Sequence, residues 1–172
     1  MHAPPKAGAP HGRYRSQASR TLPELAETAL NLGNYPFGSV LVDGEGTVRA
    51  EDYNRESTGN DATLHPEFEL ARWAAHNMTA AERARATVYT SGEHCPMCSA
   101  AHAWVGLGRI VYVYSGKQYA ALAAAEDMPV SPVAALSATE VTTSVKVEGP
   151  EPMFEERIVA LHKRRFAMTK AQ

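Results

Sequence analysis

Two short segments constrain this chain most: His65-Pro66-Glu67 and Cys95-Pro96-Met97-Cys98. Together they supply one imidazole, two thiols and one carboxylate, which lies too close to the histidine along the chain to be a comfortable second ligand. Three such ligands suit a tetrahedral zinc ion whose fourth position stays open to water, as in catalytic rather than structural sites. The segments therefore predict one Zn²⁺ per chain with a bound water, held by the histidine and both cysteines, and leave Glu67 to transfer protons.

Each segment carries a proline directly after its first ligand. Proline is favoured at the first position of a helix, because the N–H that it lacks would be unpaired there anyway. Both segments are therefore predicted to open helices, which places Cys95 and Cys98 on one helical face as residues i and i+3. The partial positive charge of a helix N-terminus favours the thiolate form of these cysteines.

Other interpretations of the cysteines fit the sequence less well. A redox C-x-x-C pair usually belongs to a thioredoxin-like context, which is absent here, and a closed structural zinc site needs a fourth ligand. His76 follows His65 on the same predicted helix, about 16 Å away by helical rise, so the two cannot share one ion. His102 follows Cys98 by one turn and could ligate, although a position at the surface or the edge of the core suits it better.

Composition excludes several functional classes. A net charge of −2 offers no strongly basic surface for nucleic acid. Two cysteines this close together cannot form the disulfide framework of a secreted protein, and they fit a reducing compartment. No apolar run approaches the roughly 20 residues of a membrane span, and no signal-peptide core is visible. We therefore expect a cytoplasmic protein without a membrane partner.

The hydrophobic pattern predicts an α/β fold in one domain over residues 21–172, preceded by a flexible arm over residues 1–20. Helices are predicted over residues 22–32, 67–77, 96–105, 119–125 and 152–166. Strands are predicted over residues 39–42, 47–53, 86–90, 109–114 and 140–147, with a hairpin turn at residues 43–46. Two strand–helix–strand passages imply parallel pairing with helices on both faces, which gives a three-layer α/β/α sandwich on a mixed five-stranded sheet.

The segment His65-Pro66-Glu67, taken with Thr90-Ser91-Gly92-Glu93-His94-Cys95-Pro96-Met97-Cys98, resembles the cytidine deaminase superfamily. Pro66 departs from the alanine that is usual in the family's H-A-E. The chain is most similar to the bacterial branch of guanine deaminases, small nucleobase deaminases and tRNA adenosine deaminases, over about residues 22–114. The resemblance implies the same fold, a homodimer, and zinc-dependent hydrolytic deamination of a small nucleobase or nucleoside with release of ammonia.

In this chemistry Glu67 acts as both general acid and general base. It takes a proton from the attacking water, delivers it to the ring nitrogen, and later protonates the leaving amino group. One carboxylate in both roles needs a pKa near the working pH. Glu69 is the rival carboxylate, but it lies roughly 200° around the helix from Glu67 and should point away from the metal.

The resemblance also predicts six substrate-contacting residues: Asn54, Phe37, Gly38, Glu93, His94 and Trp104. A buried aromatic on a helix face is an equally good interpretation of Trp104. Asn54 matches the position whose amide binds the base or the ribose, although a turn residue at a strand end is an alternative. Phe37 and Gly38 resemble the P-F-G of guanine deaminases, where glycine allows the backbone to approach the base closely. His94, next to a metal ligand, is expected to line the mouth of the site.

Substrate choice remains open among several classes. His94 replaces a usual proline, and residues 115–118 stand where guanine deaminases carry a purine-contacting acid. A purine such as guanine is favoured, with tRNA adenosine, cytosine or cytidine, and a non-catalytic zinc-binding module as alternatives. Binding of tRNA needs a basic footprint for phosphates, which only residues 162–165 and the N-terminal arm could provide, so a nucleic-acid partner is not expected.

Overall fold

A mixed five-stranded sheet forms the centre of the fold. The computed structural model describes residues 11–171. The strands are β1 (Gly38–Val42), β2 (Val48–Tyr53), β3 (Thr87–Gly92), β4 (Arg109–Tyr114) and β5 (Lys146–Glu148). They lie in the order β2-β1-β3-β4-β5, with β1 antiparallel to both neighbours and β3, β4 and β5 parallel. The predicted mixed sheet is confirmed.

Eight α-helices and one 3-10 helix (Pro152–Phe154) occur among the described residues. The α-helices are α1 (His11–Asn31), α2 (Glu56–Gly59), α3 (Pro66–Asn77), α4 (Ala80–Arg85), α5 (Pro96–Trp104), α6 (Gly116–Ala125), α7 (Ala138–Val141) and α8 (Glu155–Lys170). None of the helices in this part of the chain is long and apolar enough to cross a membrane.

The helices cover both faces of the sheet, because successive strand residues point to opposite sides. Val40 packs in one core with residues of α1 and α8. Leu41, the next residue, packs in a second core with Leu70 and Ala74 of α3. The prediction of an α/β/α sandwich is therefore confirmed, and the two ligand segments lie at the starts of α3 and α5 on the same face.

Gly38 marks the closest approach of helix to sheet. A Cβ atom added to Gly38 would lie 2.9 Å from the backbone nitrogen of Ala26 and would overlap the side chain of Leu25. Only glycine allows α1 to pack this closely on β1. The backbone N–H of Gly38 also donates to Oγ of Ser91, 3.0 Å away.

Two segments differ from their predicted structure. Helix α1 begins at His11, inside the stretch expected to be a flexible arm, where no proline or glycine follows Gly12 before Pro23; residues 1–10 lie outside the described residues. Residues 140–147 do not form one strand, because α7 occupies residues 138–141. The N–H and hydroxyl of Ser137 both donate to the Glu140 carboxylate, which starts this short helix.

Candidate metal centre and active site

Three side chains meet where α3 and α5 begin. His65 and Cys95 each directly precede a helix, with Pro66 and Pro96 as first helical residues. Nδ1 of His65 lies 3.6 Å from the sulfur of each cysteine, and the two sulfurs are 3.5 Å apart. A tetrahedral zinc ion with ordinary bond lengths needs about 3.8 Å between sulfurs and about 3.6 Å between nitrogen and sulfur. The donor set therefore fits a single zinc ion.

The ligand atoms of the three residues all lie within 4.8 Å of one another. Hydrogen bonding from the Cys98 thiol lowers the pKa of Cys95 to about 4, and the same bond together with burial raises the pKa of Cys98. Burial disfavours the charged form of His65, but hydrogen bonds to Cys95 and Glu56 outweigh this effect and raise its pKa to about 10. A metal cation displaces such protons from its ligands, so binding is coupled to proton release.

Glu67 is buried beside this cluster, one position into α3 from Pro66. Its Oε2 lies 3.9 Å from Sγ of Cys98, and its Oε1 accepts a hydrogen bond from the hydroxyl of Thr90 at 2.8 Å. Burial raises the pKa of Glu67, which agrees with its predicted role of both taking and giving a proton. Glu69 instead pairs with Arg72 at 3.0 Å.

Asn54 is fully buried at the end of β2 and is joined to His65 through Glu56. Nδ2 of Asn54 lies 2.5 Å from Oε1 of Glu56, and Nε2 of His65 lies 3.2 Å from the same oxygen. The Glu56 carboxylate therefore bridges Asn54 and the metal ligand His65. Glu56 was not predicted from the sequence. It lies eleven positions after Glu45 and nine positions before His65, and no motif marks an acidic residue at either spacing.

An aromatic cluster stands next to the end of β3. Phe37 contacts Gly92, where an added Cβ would lie 2.7 Å from its ring. The Phe37 ring centroid is 5.7 Å from that of Tyr119 on α6 and 4.9 Å from that of His162 on α8. Tyr119 and His162 were not predicted as site residues, since they come from the divergent C-terminal third of the chain.

The other four predicted substrate residues have different surroundings. Gly38 lies under α1, as its packing requires. Glu93 uses both carboxylate oxygens to accept hydrogen bonds from the backbone N–H groups of Gly116 and Ala138, each at 2.9 Å, and so joins the starts of α6 and α7. Glu93 therefore caps two helices, and its contact with the base stays a prediction.

His94 and Trp104 also differ from expectation. His94 is buried, with its ring centroid 5.1 Å from that of His102, instead of lining an open mouth. Trp104 ends α5 with 87% of its surface exposed. A depression of about 400 Å³ lies elsewhere, along β2 and α3; its lining includes Glu69 and His76 but none of the three ligands. Of the six residues, Asn54 is joined to a ligand through the Glu56 carboxylate, and the predicted substrate contacts of all six stay predictions.

Residues 13–114 match the family model of the cytidine and deoxycytidylate deaminase zinc-binding region. The chain belongs to this family. The match confirms the resemblance drawn from the motifs and, together with the ligand geometry, the prediction of a zinc site. His65, Cys95 and Cys98 all lie within the matched residues.

Two curated relatives show how far the similarity extends. A guanine deaminase of Bacillus subtilis is 38% identical over 89 residues, which are 51% of this chain and 56% of that protein. A tRNA-specific adenosine deaminase of Haemophilus influenzae is 34% identical over 89 residues, 52% of this chain and 51% of that protein. The chain spans about half the length of the curated relatives it matches.

Solved structures extend the likeness in fold. The guanine deaminase from Nitrosomonas europaea superposes with a TM-score of 0.65 at 18% identity, covering 96% of this chain and 88% of that chain. This similarity shows the fold alone. A structure from a study of tRNA:A34 deaminases has a TM-score of 0.55 at 26% identity, covering 77% of this chain and 98% of that chain.

Proposed function

We propose that this protein catalyses the zinc-dependent hydrolytic deamination of an amino-substituted nucleobase or nucleoside, with a purine such as guanine favoured, and releases ammonia. The observation that carries the proposal is the position of Glu67. Its buried carboxylate lies 3.9 Å from Sγ of Cys98, beside a cluster of three ligands that leaves a tetrahedral ion one open position.

The residues of the site have two roles: three of them hold the metal ion, and one transfers protons. His65, Cys95 and Cys98 hold the zinc, which when bound supplies Lewis-acid activation of a water molecule. Glu67 takes one proton from the attacking water and delivers it to the ring nitrogen next to the amidine carbon, as the water oxygen bonds to that carbon. Glu67 then passes the second water proton to the amino group. The carbon–nitrogen bond breaks, ammonia leaves, and a carbonyl remains on the ring.

One relative favours a purine, and two side chains offer contacts to a base. The Bacillus subtilis guanine deaminase shares 38% identity over 89 residues with this chain. The half-buried ring of Phe37, beside the strand that leads to Cys95, offers an aromatic surface on which a base can stack. Asn54, held next to His65, supplies amide donors and acceptors for the edge of the base.

Deamination of adenosine in tRNA is the second candidate, supported by the 34% identical relative from Haemophilus influenzae. The burial and pairing of the predicted basic cluster over residues 162–165 weaken this second candidate. His162 and Arg165 are buried, and Arg164 lies 3.4 Å from Glu27. Because phosphate binding needs accessible positive charge, this middle part of α8, where Lys163 and Arg164 are the exposed basic residues, makes a poor footprint for tRNA.

The test is ammonia release by the zinc-loaded protein from guanine, adenine, cytosine, isocytosine and their nucleosides. Glu67→Ala should keep the zinc and lose turnover, whereas the matched control Glu69→Ala should stay active. Release from tRNA but from none of the small compounds would favour the second candidate. Silence with every substrate while zinc is bound would overturn the proposal and indicate a zinc-binding module without catalysis.

We also propose that the active form is a homodimer. The exposed Trp104 lies at the end of α5, the helix that begins with the cysteine ligands. A large aromatic side chain at such a position suits an interface between subunits. The mass of the protein in solution tests this proposal, and a strict monomer at assay concentration would contradict it.

A further inference from the structure

Glu56 reaches two residues of the site with one carboxylate oxygen. Its Oε1 lies 3.2 Å from Nε2 of His65 and 2.5 Å from Nδ2 of Asn54. The backbone N–H of Glu56 also donates to Oδ1 of Asn54 at 3.1 Å. One residue therefore contacts both a metal ligand and the amide that is predicted to bind the substrate.

The position of Glu56 is fixed by buried and backbone contacts. Oδ1 of Asn34, a fully buried residue, accepts hydrogen bonds from the backbone N–H groups of Ser57 and Thr58, both at 3.0 Å. These bonds satisfy donors at the start of α2. The N–H of Asp61 donates to the carbonyl oxygen of Glu56 at 3.1 Å. The short helix is thus held in place, and the carboxylate it carries is a built part of the site.

The contact with Glu56 determines which nitrogen of His65 is available to a metal. Nδ1 of His65 faces the two sulfurs, so Nε2 is the nitrogen that faces Glu56. A neutral imidazole that donates from Nε2 to a carboxylate leaves the lone pair on Nδ1. Such a carboxylate also fixes the orientation of the ring and makes the ligating nitrogen more basic.

The same carboxylate fixes the amide of Asn54. The amide oxygen accepts from the N–H of Glu56, while the amide nitrogen donates to the Glu56 carboxylate. A flipped amide would place the amide N–H groups of Asn54 against the backbone N–H of Glu56, and the amide oxygen against the Glu56 carboxylate. In the orientation observed, one N–H of Nδ2 and one lone pair of Oδ1 remain for a substrate.

We propose that Glu56 is a positioning residue that couples the two halves of the site: it holds His65 for zinc and Asn54 for the substrate. The substrate half of this inference rests on the proposed function. The zinc half does not, since it follows from the ligand geometry alone.

The first experiment measures zinc affinity, with zinc alone, by competition with a chromophoric chelator. Glu56→Ala should weaken zinc binding by about 10–100-fold, the range typical for lost carboxylate partners of histidine ligands. Glu56→Gln keeps an acceptor without the charge and should fall between Glu56→Ala and the wild type. Glu51→Gln, which changes an exposed carboxylate on β2, is the matched control and should bind zinc as the wild type does.

The second experiment separates KM from kcat at saturating zinc, with the amino-base that releases ammonia. Glu56→Ala should raise KM more than it lowers kcat. Asn54→Ala should raise KM similarly but leave the zinc affinity unchanged, because it does not contact His65 directly. This contrast assigns the effect on zinc to the contact between Glu56 and His65.

Wild-type zinc affinity in folded Glu56→Ala and Glu56→Gln would overturn the inference. If Glu56→Ala does not fold, the isosteric Glu56→Gln decides. Weakened zinc binding in both variants, with no ammonia released by any form of the protein, would refute the proposed function while supporting the role of Glu56 toward the metal.

Discussion

The hydroxyl oxygen of Thr90 lies 2.8 Å from Oε1 of Glu67, in the buried part of β3. The same hydroxyl accepts a hydrogen bond from Ser39 at 2.9 Å and lies 2.9 Å from the carbonyl oxygen of Gly92. A hydroxyl has one proton and two lone pairs. It can therefore donate to an ionised Glu67, or accept from a protonated Glu67 and donate to Gly92. Both protonation states of the carboxyl group are held in one position.

Replacing Thr90 by valine removes this contact while keeping the shape of the side chain. We expect kcat of Thr90→Val to fall about tenfold to hundredfold, because a hydrogen bond to a charged group contributes about 1.5–3 kcal/mol. Steady-state kinetics and the zinc content per chain measure the two effects separately, and zinc should stay bound. Ser39→Ala keeps the Thr90 hydroxyl and should lose less activity. Wild-type kcat in Thr90→Val would contradict the positioning of Glu67 by this residue.

Removal of the metal should destabilise the folded protein. A ligand that binds only the native state adds about 4 kcal/mol at a thousandfold excess over its Kd. We therefore expect a chelator to lower Tm and added zinc to restore it, whereas Cys98→Ala should show neither response. Thermal melts with a chelator, with zinc and with Mg²⁺ as the control cation test this. A Tm that ignores zinc in the wild type would show that the cluster does not bind it.

The three ligands and the two helices that carry them could be predicted from the sequence because the information is local. Proline after His65 and after Cys95 marks a helix start, and two cysteines three apart must lie on one helical face. The strands were recognisable for the same reason, since alternating or continuous apolar runs reflect burial on the sheet. Among the predicted strands, residues 140–147 are the exception. The cap formed by Ser137 and Glu140 starts α7 there, although the valine pattern predicted a strand.

The surroundings of the ligands depend on contacts between distant segments and could not be predicted this way. Glu56 meets His65 from the start of α2, which is held by buried Asn34, more than twenty residues earlier in the chain. Glu93, identified by its motif, proves to bind two helix starts, the second of them forty-five residues away. His162 of α8 likewise contacts Phe37 from a distant part of the chain. The types of the residues and their spacing along the chain do not indicate which distant residues will contact each other.

Gly38 should not tolerate a side chain. We expect Gly38→Ala to lower the free energy of unfolding by about 1–3 kcal/mol, the usual cost of forced overpacking, because its Cβ would meet Leu25 and the backbone of Ala26. Gly116→Ala is the matched control: its Cβ would find its nearest neighbour, Oε2 of Glu93, at 3.7 Å. Urea unfolding measures both. Equal stability of the two variants would mean that α1 does not press on β1 as described.

His162 should make stability depend on pH. Its ring lies among Phe37, Tyr119 and Phe166, and its nitrogens have no hydrogen-bond partner among the described residues. Burial lowers the pKa of His162 from 6.5 to about 3. Below pH 6.5 the unfolded chain therefore binds a proton that the native protein does not.

The contribution of His162 to stability is therefore present above pH 6.5 and is lost progressively as pH falls toward 3. His162→Phe keeps an aromatic ring in the cluster and removes the titration. Between pH 6 and pH 4 we expect the free energy of unfolding of His162→Phe to fall less steeply than that of the wild type. The two slopes should differ by about 1.4 kcal/mol per pH unit. Urea unfolding across this range measures the slope, and His76→Gln, which removes an exposed histidine, should follow the wild type. Parallel curves for His162→Phe and the wild type would show that the His162 imidazole is not one of the groups that couple folding to pH.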